Sequence, residues 1–411
     1  VAAEAIAAPL VDALKAVRGV GEVVIAGSFR RRKETVGDLD LLVTCRAGSP
    51  VMDRFLAHDD VREVLSRGDT RSSVRLRAGL QVDLRVVPKA SYGAALHYFT
   101  GSKDHNIAVR QRGVLRGLKI NEYGVFRGAR RVAGRTEEDV YRAVGLPYID
   151  PALREGRGEI EAAEAGRLPR PIPLEAIRGD LHSHTTETDG RFSLEEMVRA
   201  ARERGYEYLA ITDHTRHLTV ARGMDPQRLA RQMEAIDRLN AGLQGFRVLK
   251  SAEIDILEDG SLDLPDDILR RLDLRVCSVH YKFDLPRERQ TGRILRAMDN
   301  RYFNILAHPT GRLLGQRPPY DVDLERIMDA ALERGCFLEV NAQPERLDLD
   351  DVHCRMAKER GLKVAVSTDA HSLRHLDSIR LGLDQARRGW LEPDDILNTR
   401  PWEELRPLLA R

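Results

Sequence analysis

The chain has 411 residues, 42% of them hydrophobic, which is enough for two or three domains with cores of their own. No apolar run approaches the roughly 18 residues that a membrane span needs, and the first residues lack the basic start and apolar centre of a secretory signal. These features argue against a membrane protein and predict a cytoplasmic one. The four cysteines show no paired spacing, so buried thiols are expected.

Charge is distributed unevenly along the chain. Residues 1–150 contain 25 Lys and Arg against 18 Asp and Glu, whereas the remainder contains 41 against 46. A basic front half suits a polyanion, and an acidic back half suits divalent metal ions. A solvated charged surface explains either bias equally well. Because residue 1 is Val, we also expect that a preceding portion is not included.

The first 95 residues are predicted to begin with a helix over residues 2–17. Short strands are predicted to follow at 23–26, 39–43 and 80–87. Asp38 and Asp40 flank the start of the second strand, and Asp83 lies within the third. Residues i and i+2 of a strand face the same side, so Asp38 and Asp40 present two carboxylates together.

Two carboxylates on one face repel each other unless a cation lies between them. A pair of Mg²⁺ ions shared with Asp83 would supply that charge, and this is the arrangement of two-metal phosphoryl transfer. Gly27 and Ser28, just ahead, offer closely approaching backbone and a hydroxyl for phosphate oxygens. The competing interpretation of Asp38 and Asp40 is the solvated edge of an amphipathic strand.

Residues 151–178 are predicted to be a connector, because glycines and prolines interrupt a charged segment there. From residue 179 onward, strand-like and helix-like segments alternate. Ser193 and Glu196 form a capping box at the start of one helix. Strands are predicted at 179–182, 207–213, 246–253, 274–280, 303–308, 336–341 and 363–369. Seven βα units predict a barrel-like parallel fold, one unit short of the usual eight.

Potential metal ligands follow these strands at their carboxyl ends, where an α/β barrel holds its chemistry. The nine candidates are His182, His184, Asp189, His214, Glu253, His280, His308, Asp369 and His371. A lone histidine is more often a core or surface residue than a ligand, but six in this setting favour a metal cluster. Imidazoles and carboxylates without thiolate suit Mn²⁺, Zn²⁺ or Fe²⁺.

Nine ligands exceed what one ion needs, so two or three ions are expected, with Glu253 as the bridge. Such a cluster activates water and neutralises the oxygens of a phosphoester, which predicts metal-assisted phosphoester hydrolysis. Lys282 and Arg312 are candidate phosphate-binding residues, although each is as readily a surface charge.

The motifs Gly27-Ser-Phe-Arg-Arg31, Gly37-Asp-Leu-Asp40 and Val82-Asp83 resemble the palm of family X DNA polymerases. The resemblance implies that Asp38, Asp40 and Asp83 are catalytic and hold two Mg²⁺, and that Gly27, Ser28 and Arg31 bind the incoming triphosphate. Downstream, Tyr98, Phe99, Gly101 and Asn106 resemble the sugar and base contacts of the family's thumb.

The second half resembles the PHP (polymerase and histidinol phosphatase) domain throughout its length, and all nine ligand positions match in order and type. The chain is therefore similar to bacterial family X polymerases with a C-terminal PHP domain. The resemblance implies a nucleotidyltransferase palm (1–95), a thumb (96–150), a linker (151–178) and a distorted (β/α)7 PHP barrel (179–411).

The activities implied are template-directed gap filling and Mn²⁺- or Zn²⁺-dependent 3′→5′ exonuclease or related 3′-end cleavage in base-excision repair. The implied partners are gapped DNA or 3′ ends and dNTPs, without a membrane and with a monomer favoured. The family's N-terminal DNA-end-binding and fingers regions are absent from this sequence, so we expect nucleotide to bind better than gapped DNA.

Two other functions remain open from the sequence. The first is a small-molecule phosphatase or amidohydrolase-like hydrolase with a vestigial nucleotidyltransferase half. An amidohydrolase, however, would usually place a bridging Lys where Glu253 stands. The second is a non-catalytic scaffold that binds DNA ends. The complete ligand sets argue against it.

Overall fold

The structure is a computed structural model that describes residues 2–46 and 48–410. The chain forms two compact units, one ending at Leu168 and the other beginning at Pro169. Among the described residues, no helix combines the length and the apolar character needed to cross a membrane.

The first unit combines two sheets with helices. Its elements, in chain order, are α1 (Ala2–Lys15), β1 (Val20–Ile25), α2 (Gly27–Arg30), β2 (Asp38–Cys45), α3 (Val51–Leu56), β3 (Val61–Ser66), β4 (Arg71–Leu76), β5 (Gln81–Val87), α4 (Tyr92–Thr100), α5 (Lys103–Leu115), β6 (Lys119–Asn121), β7 (Gly124–Arg127), β8 (Arg130–Ala133), α6 (Glu137–Ala143) and α7 (Glu159–Glu164).

The larger sheet of this unit has the strand order β1-β2-β5-β4-β3, with β2 and β5 parallel. Alternation along β2 sends Leu39, Leu41 and Val43 into a core with α1 and α3, while Leu42 packs on the opposite face beside α4. Asp38, Asp40 and Leu42 are two residues apart along β2, so both aspartates lie on the same face as Leu42, the α4 side of the sheet.

Two strands of this sheet, β3 and β4, are absent from the sequence prediction, and the first helix ends at Lys15 rather than at Val17. The sequence pattern does not reveal β3 because it is an edge strand whose side chains are mostly exposed. It therefore lacks the apolar alternation that marks a half-buried strand.

Beyond β5, helices α4 to α6 surround a small sheet with the order β6-β7-β8. Helix α4 crosses the start of α6 closely at Gly93, where a Cβ atom would lie 2.1 Å from the backbone of Thr136. Thr136 caps α6 by accepting a hydrogen bond from the Asp139 amide. Any side chain at position 93 would therefore force these two helices apart.

The second unit alternates strands and helices. Its elements are β9 (Gly179–Asp180), α8 (Leu194–Glu203), β10 (Tyr208–Ile211), α9 (Pro226–Gly242), β11 (Arg247–Asp255), α10 (Asp266–Leu269), β12 (Leu274–Ser278), α11 (Arg287–Met298), β13 (Ile305–Leu306), α12 (Leu324–Arg334), β14 (Phe337–Asn341), α13 (Asp351–Arg360), β15 (Val364–Ser367), α14 (Ile379–Arg388) and α15 (Trp402–Leu409).

Strands β9 to β15 form one parallel sheet in sequence order, so the predicted seven-stranded barrel is confirmed for the described part of the chain. A bridge between Ser183 and Ala370 joins the segments that follow β9 and β15. The His184 amide donates to the Ala370 carbonyl at 2.9 Å, and the Ala370 amide donates to the His182 carbonyl at 3.2 Å. These bonds close the sheet into a barrel.

The barrel has an apolar interior and an apolar outer layer. On β10, Tyr208 and Ala210 pack inside, whereas Leu209 and Ile211 pack outward against the helices. Trp402 of α15 belongs to the interior cluster, and the Tyr208 hydroxyl donates to the Arg400 carbonyl at 2.9 Å. One end of the barrel is therefore filled by apolar side chains, which leaves the carboxyl ends of the strands to carry polar groups.

Candidate active sites

The three predicted carboxylates of the first unit lie on adjacent strands. Asp40 of β2 and Asp83 of β5 are direct partners in the parallel register, and Asp38 is paired with Gln81. Asp83 is buried, and its carboxylate accepts a hydrogen bond from the Gln81 side chain at 3.3 Å. The structure thus brings the three residues together at one end of the β2–β5 pair.

The electrostatics of this cluster favour a bound cation. Burial, together with the charges of Asp38 and Asp83, raises the pKa of Asp40 to about 6. The ionised carboxylate is therefore destabilised at neutral pH by burial and by the two neighbouring charges. A divalent ion among the three oxygen donors would remove that repulsion.

Replacing Asp40 by Asn is expected to stabilise the metal-free protein at pH 7. The folded-state pKa of Asp40, about 6, lies above its usual value of 3.8, so the cost of ionising it in the folded protein grows from about pH 4 and is fully present above about pH 6. Allowing for partial solvent screening, the gain is about 1 to 2 kcal/mol, and it should vanish below about pH 4. Denaturant unfolding in EDTA at pH 7 and at pH 4 measures this difference.

Asp53→Asn provides a matched control, because the Asp53 side chain is 75% exposed and lies away from the carboxylate cluster. This variant should leave the free energy of unfolding unchanged within about 0.5 kcal/mol. Equal stabilisation by both variants, or none by Asp40→Asn, would contradict the repulsion inferred for the cluster.

A cavity of about 390 Å³ lies beside these carboxylates. The seven residues predicted to contact nucleotide all line it together with Asp38 and Asp40, namely Gly27, Ser28, Arg31, Tyr98, Phe99, Gly101 and Asn106. Gly27 allows a close approach here, since a Cβ atom at this position would lie 2.6 Å from the Asp40 carboxylate. Lys103 and Arg110 of α5 also line the cavity and were missed by the sequence interpretation.

In the second unit, all nine candidate ligands lie at the carboxyl ends of the barrel strands, and Glu253 lies among them. The Glu253 carboxylate lies within 3.5 Å of a ring nitrogen of five histidines: His182 (3.2 Å), His184 (3.5 Å), His214 (3.1 Å), His280 (3.1 Å) and His308 (2.9 Å). These distances are typical of ligands that share a cation.

Two further carboxylates complete the cluster. Asp369 lies 3.1 Å from Nε2 of His184 and 3.5 Å from Nε2 of His182. Asp189, which is partly exposed, lies 3.4 Å from Nε2 of His214 and 3.3 Å from Nε2 of His371. Three overlapping groups of these residues bring their ligand atoms within 4.8 Å of one another, and the groups share His184, His214 and Glu253.

The carboxylates of this cluster are held in their charged form. Burial alone would raise the pKa of Glu253, but His214, His280 and His182 hold it well below its usual range. Burial likewise opposes ionisation of Asp369, and the neighbouring His182 and His184 again outweigh it and lower the pKa. Both residues therefore remain anionic at neutral pH, as metal ligands must be.

The imidazoles divide into two kinds. Burial, with the neighbouring His371 and His214, lowers the pKa of His184 to about 3. Burial opposes protonation of His280 and His371 as well, but nearby carboxylates raise their pKa to about 10 and about 9. A cation binding here would displace protons from these last two rings.

The donor atoms fit divalent metal ions. Nε2 of His182, Nδ1 of His184 and Nδ1 of His214 are buried and make no hydrogen bond, although a Glu253 oxygen lies 3.2 Å from the first and 3.1 Å from the third. A buried, unpaired ring nitrogen is costly in a protein interior unless it has a ligand. The opposite nitrogen of His182 lies 2.7 Å from Glu339, an arrangement that typically orients a metal-binding imidazole.

Sequence reasoning missed the polar residues that orient these ligands. Asp255 lies 2.9 Å from Nδ1 of His280, and Glu339 accepts a hydrogen bond from the His308 amide at 2.7 Å. Asn341 donates to both Glu339 and Asp369 at 3.1 Å. The sequence did contain a signal for them, because these acid and amide residues stand within apolar strands. Such side chains are buried there and require polar partners.

The two predicted phosphate-binding residues lie in different surroundings. Lys282 is exposed. Arg312 is buried and donates to the carbonyl of Arg346 at 2.9 Å and to that of Leu347, so it orders the chain that follows β14. The guanidinium of Arg346 itself lies 3.6 Å from Asp369, at the edge of the cluster.

Comparison with known proteins identifies the two kinds of domain that carry these sites. The profile described as DNA polymerase beta palm matches residues 2–86, that of the DNA polymerase beta thumb matches 95–155, and that of the PHP domain matches 180–343. The chain is 40% identical over 391 residues to the DNA polymerase/3′-5′ exonuclease PolX of Bacillus subtilis (strain 168), covering 94% of this chain and 68% of that protein. The chain belongs to the family X DNA polymerases with a PHP domain.

Other relatives match one half each. A probable phosphatase of Thermoanaerobacter sp. (strain X514) is 30% identical over 231 residues, or 54% of this chain and 89% of that protein. DNA polymerase lambda of Rattus norvegicus is 31% identical over 162 residues, or 32% of this chain and 28% of its own length. Membership of family X implies DNA and dNTP substrates, and both kinds of domain imply divalent metal ions.

Proposed function

We propose that this chain is a DNA repair enzyme that adds nucleotides to a DNA primer in its first unit and removes 3′-terminal nucleotides in its second. The observation that carries the proposal is the convergence of six imidazoles and three carboxylates at one rim of the barrel, with Glu253 among them. The three palm carboxylates beside a nucleotide-sized cavity support the polymerase half.

In the palm, we assign Asp38, Asp40 and Asp83 as the ligands of two Mg²⁺ ions. Bound ions would supply charge neutralisation at the phosphates and activation of the primer 3′-hydroxyl. Gly27, Ser28 and Arg31 would hold the triphosphate through backbone, hydroxyl and guanidinium donors.

The base and sugar of the nucleotide are assigned to other residues that line the cavity. Tyr98, Phe99 and Gly101 would contact the sugar, and Asn106 would contact the base. The Asn106 side chain donates to the Tyr98 carbonyl at 2.7 Å, while its own oxygen is buried without a partner. Because Asn106 lines the cavity and its amide oxygen makes no hydrogen bond, that oxygen is the atom proposed to accept one from the nucleotide.

In the PHP domain, two or three Mn²⁺ or Zn²⁺ ions would be held by the nine ligands described above, with Glu253 as the bridge. Bound ions would supply Lewis-acid activation of water for phosphoester cleavage. Glu339 and Asp255 orient His182 and His280. Arg346, 3.6 Å from Asp369, is a cation available to a DNA phosphate, and exposed Lys282, two residues after His280, is proposed as a second.

The domain assignment that accompanies this function is a palm over residues 1–95, a thumb over 96–150, a linker over 151–178 and a PHP domain over 179–411. Separation into compact units at Leu168 and Pro169, inside the proposed linker, supports it. The charge asymmetry supports it as well, since the basic first half is the one assigned to the DNA primer.

A 5′-labelled primer–template incubated with Mn²⁺, with and without dNTPs, tests both halves in one experiment. We expect shortening of the primer without dNTPs and lengthening with them, because the two activities use different ligand sets. EDTA should abolish both changes. A primer that keeps its length under every condition would overturn the proposal, and shortening alone would restrict it to the PHP domain.

A second candidate, phosphatase activity on small molecules, is favoured by the similarity of the PHP half to probable phosphatases. The same labelled primer distinguishes the two functions when a small phosphomonoester is supplied in parallel. Release of phosphate from that ester, without any shortening of DNA, would favour the phosphatase.

A further inference from the structure

Glu155, at the end of the thumb match, contacts Arg31, one of the residues that line the nucleotide cavity. Nε of Arg31 donates to the Glu155 carboxylate at 3.0 Å, and Nη1 of Arg31 donates to the Thr100 carbonyl at 2.6 Å. The Arg31 and Glu155 side chains are only 13% and 12% exposed. An arginine stem is otherwise flexible, so these two contacts restrict how its guanidinium faces the cavity.

Glu155 occupies a well-anchored backbone position. The preceding residue, Arg154, is fully buried and donates to the Ile149 carbonyl at 2.8 Å and to Glu137 at 2.6 Å. Its cation lies over both the Tyr141 and Tyr148 rings, 5.2 and 5.3 Å from their centroids. A carboxylate adjacent to this buried residue has little freedom to move.

The following residues are anchored as well. The amides of Gly156 and Arg157 donate to the Glu159 carboxylate at 3.0 and 2.7 Å. The same carboxylate lies 2.7 Å from Nδ1 of His105, a fully buried residue of α5. The turn that presents Glu155 is thus attached to α5, the helix that carries Asn106.

A further bond links this turn to the start of α5. The Ser102 amide donates to the Arg154 carbonyl at 3.0 Å, and the Ser102 side chain caps α5 by accepting from the His105 amide. Residues 154–159 therefore contact both Arg31, which is assigned to the triphosphate, and the start of α5, the helix whose Asn106 is assigned to the base.

We propose that Glu155 is a positioning residue for nucleotide addition, which orients the Arg31 guanidinium toward the triphosphate. The inference rests on the proposed function, since it takes Arg31 as a ligand of the incoming dNTP. Glu155 contributes no donor to the nucleotide itself and acts through Arg31. A preorganised guanidinium loses less conformational freedom on binding a phosphate, which increases dNTP affinity.

The test measures the dissociation constant of a dNTP for the whole chain by equilibrium binding, alongside steady-state primer extension. Glu155→Ala is expected to raise the dNTP dissociation constant and KM about tenfold, with a smaller fall in kcat, since binding depends on the oriented guanidinium. Glu155→Gln, which keeps an oxygen acceptor for Nε, is expected to raise them less than about threefold. Thermal unfolding of both variants monitors folding.

Two controls separate positioning from general stability. Glu161, exposed on the neighbouring helix α7, is the matched control, and Glu161→Ala should leave dNTP affinity unchanged. In an Arg31→Ala background, Glu155→Ala should cause no further loss of affinity, because the two residues act in series. The 3′-terminal digestion by the PHP domain should be the same in every variant.

Unchanged dNTP affinity in Glu155→Ala, or an equal loss of affinity with and without Arg31, would overturn the positioning role. If the unmodified chain extends primers and binds dNTP, either result affects Glu155 alone. If the unmodified chain does neither, the proposed polymerase function fails, and this inference fails with it.

Discussion

Replacing Glu253 by Gln is expected to abolish digestion of DNA 3′ ends while primer extension continues. Glu253 is the carboxylate that five imidazoles approach, so its loss removes the bridging charge of the proposed metal cluster. Loss of such a group should lower the cleavage rate by about 10³-fold or more. Shortening of a labelled primer with Mn²⁺ measures it, and metal content by elemental analysis should fall in parallel.

Glu258→Gln is the control for this variant, because Glu258 follows the same strand but lies at the surface, paired with Arg289 at 2.9 Å. It should digest DNA at the rate of the unmodified chain. Full digestion by Glu253→Gln would show that the cluster is not the nuclease site. Loss of primer extension in the same variant would count against two separate sites.

Replacing Asp38 by Ala should have the converse effect. Asp38 shares a face of β2 with Asp40, so its removal leaves two carboxylates where the proposed pair of Mg²⁺ ions needs three. We expect nucleotide addition to fall by about 10³-fold or more, with digestion of single-stranded ends within about twofold of normal. Primer extension with Mg²⁺ and digestion with Mn²⁺ report the two sites separately.

Asp69→Ala serves as its control, since Asp69 is exposed between β3 and β4 in the same sheet. It should extend primers normally. Nucleotide addition that survives in Asp38→Ala would contradict the assignment of the palm carboxylates. If both activities disappeared while the protein remained folded, separate sites would be ruled out.

The geometry of the barrel site argues against two other functions that the sequence left open, an amidohydrolase-like hydrolase and a non-catalytic scaffold. An amidohydrolase-like site would place a bridging Lys on a strand, whereas here a buried carboxylate lies 2.9 to 3.5 Å from five imidazoles. A non-catalytic scaffold needs no buried ring nitrogens that make no hydrogen bond, such as Nε2 of His182 and Nδ1 of His214. Such groups are costly to keep in a core, which argues for retained metal binding.

Much of the fold was predictable because its signals are local. The alternation of Asp38, Leu39 and Asp40 places both carboxylates on one face whatever the rest of the chain does. Seven apolar runs, six of them ending in His, Asp or Glu, likewise predicted the barrel and its ligands. The edge strand β3 was not predicted, because its mostly exposed side chains do not alternate between apolar and polar residues as those of a half-buried strand do.

The sequence by itself determined which residue types stand at the strand ends, and therefore that metal-dependent phosphoryl chemistry was expected. Tertiary structure alone decided that Asp40 and Asp83 are register partners, that Glu339 orients His182, and that Glu155 holds Arg31. These pairs are 43, 157 and 124 residues apart in the chain. A local pattern reports which face a residue occupies, whereas contacts between distant residues depend on strand order, barrel closure and packing.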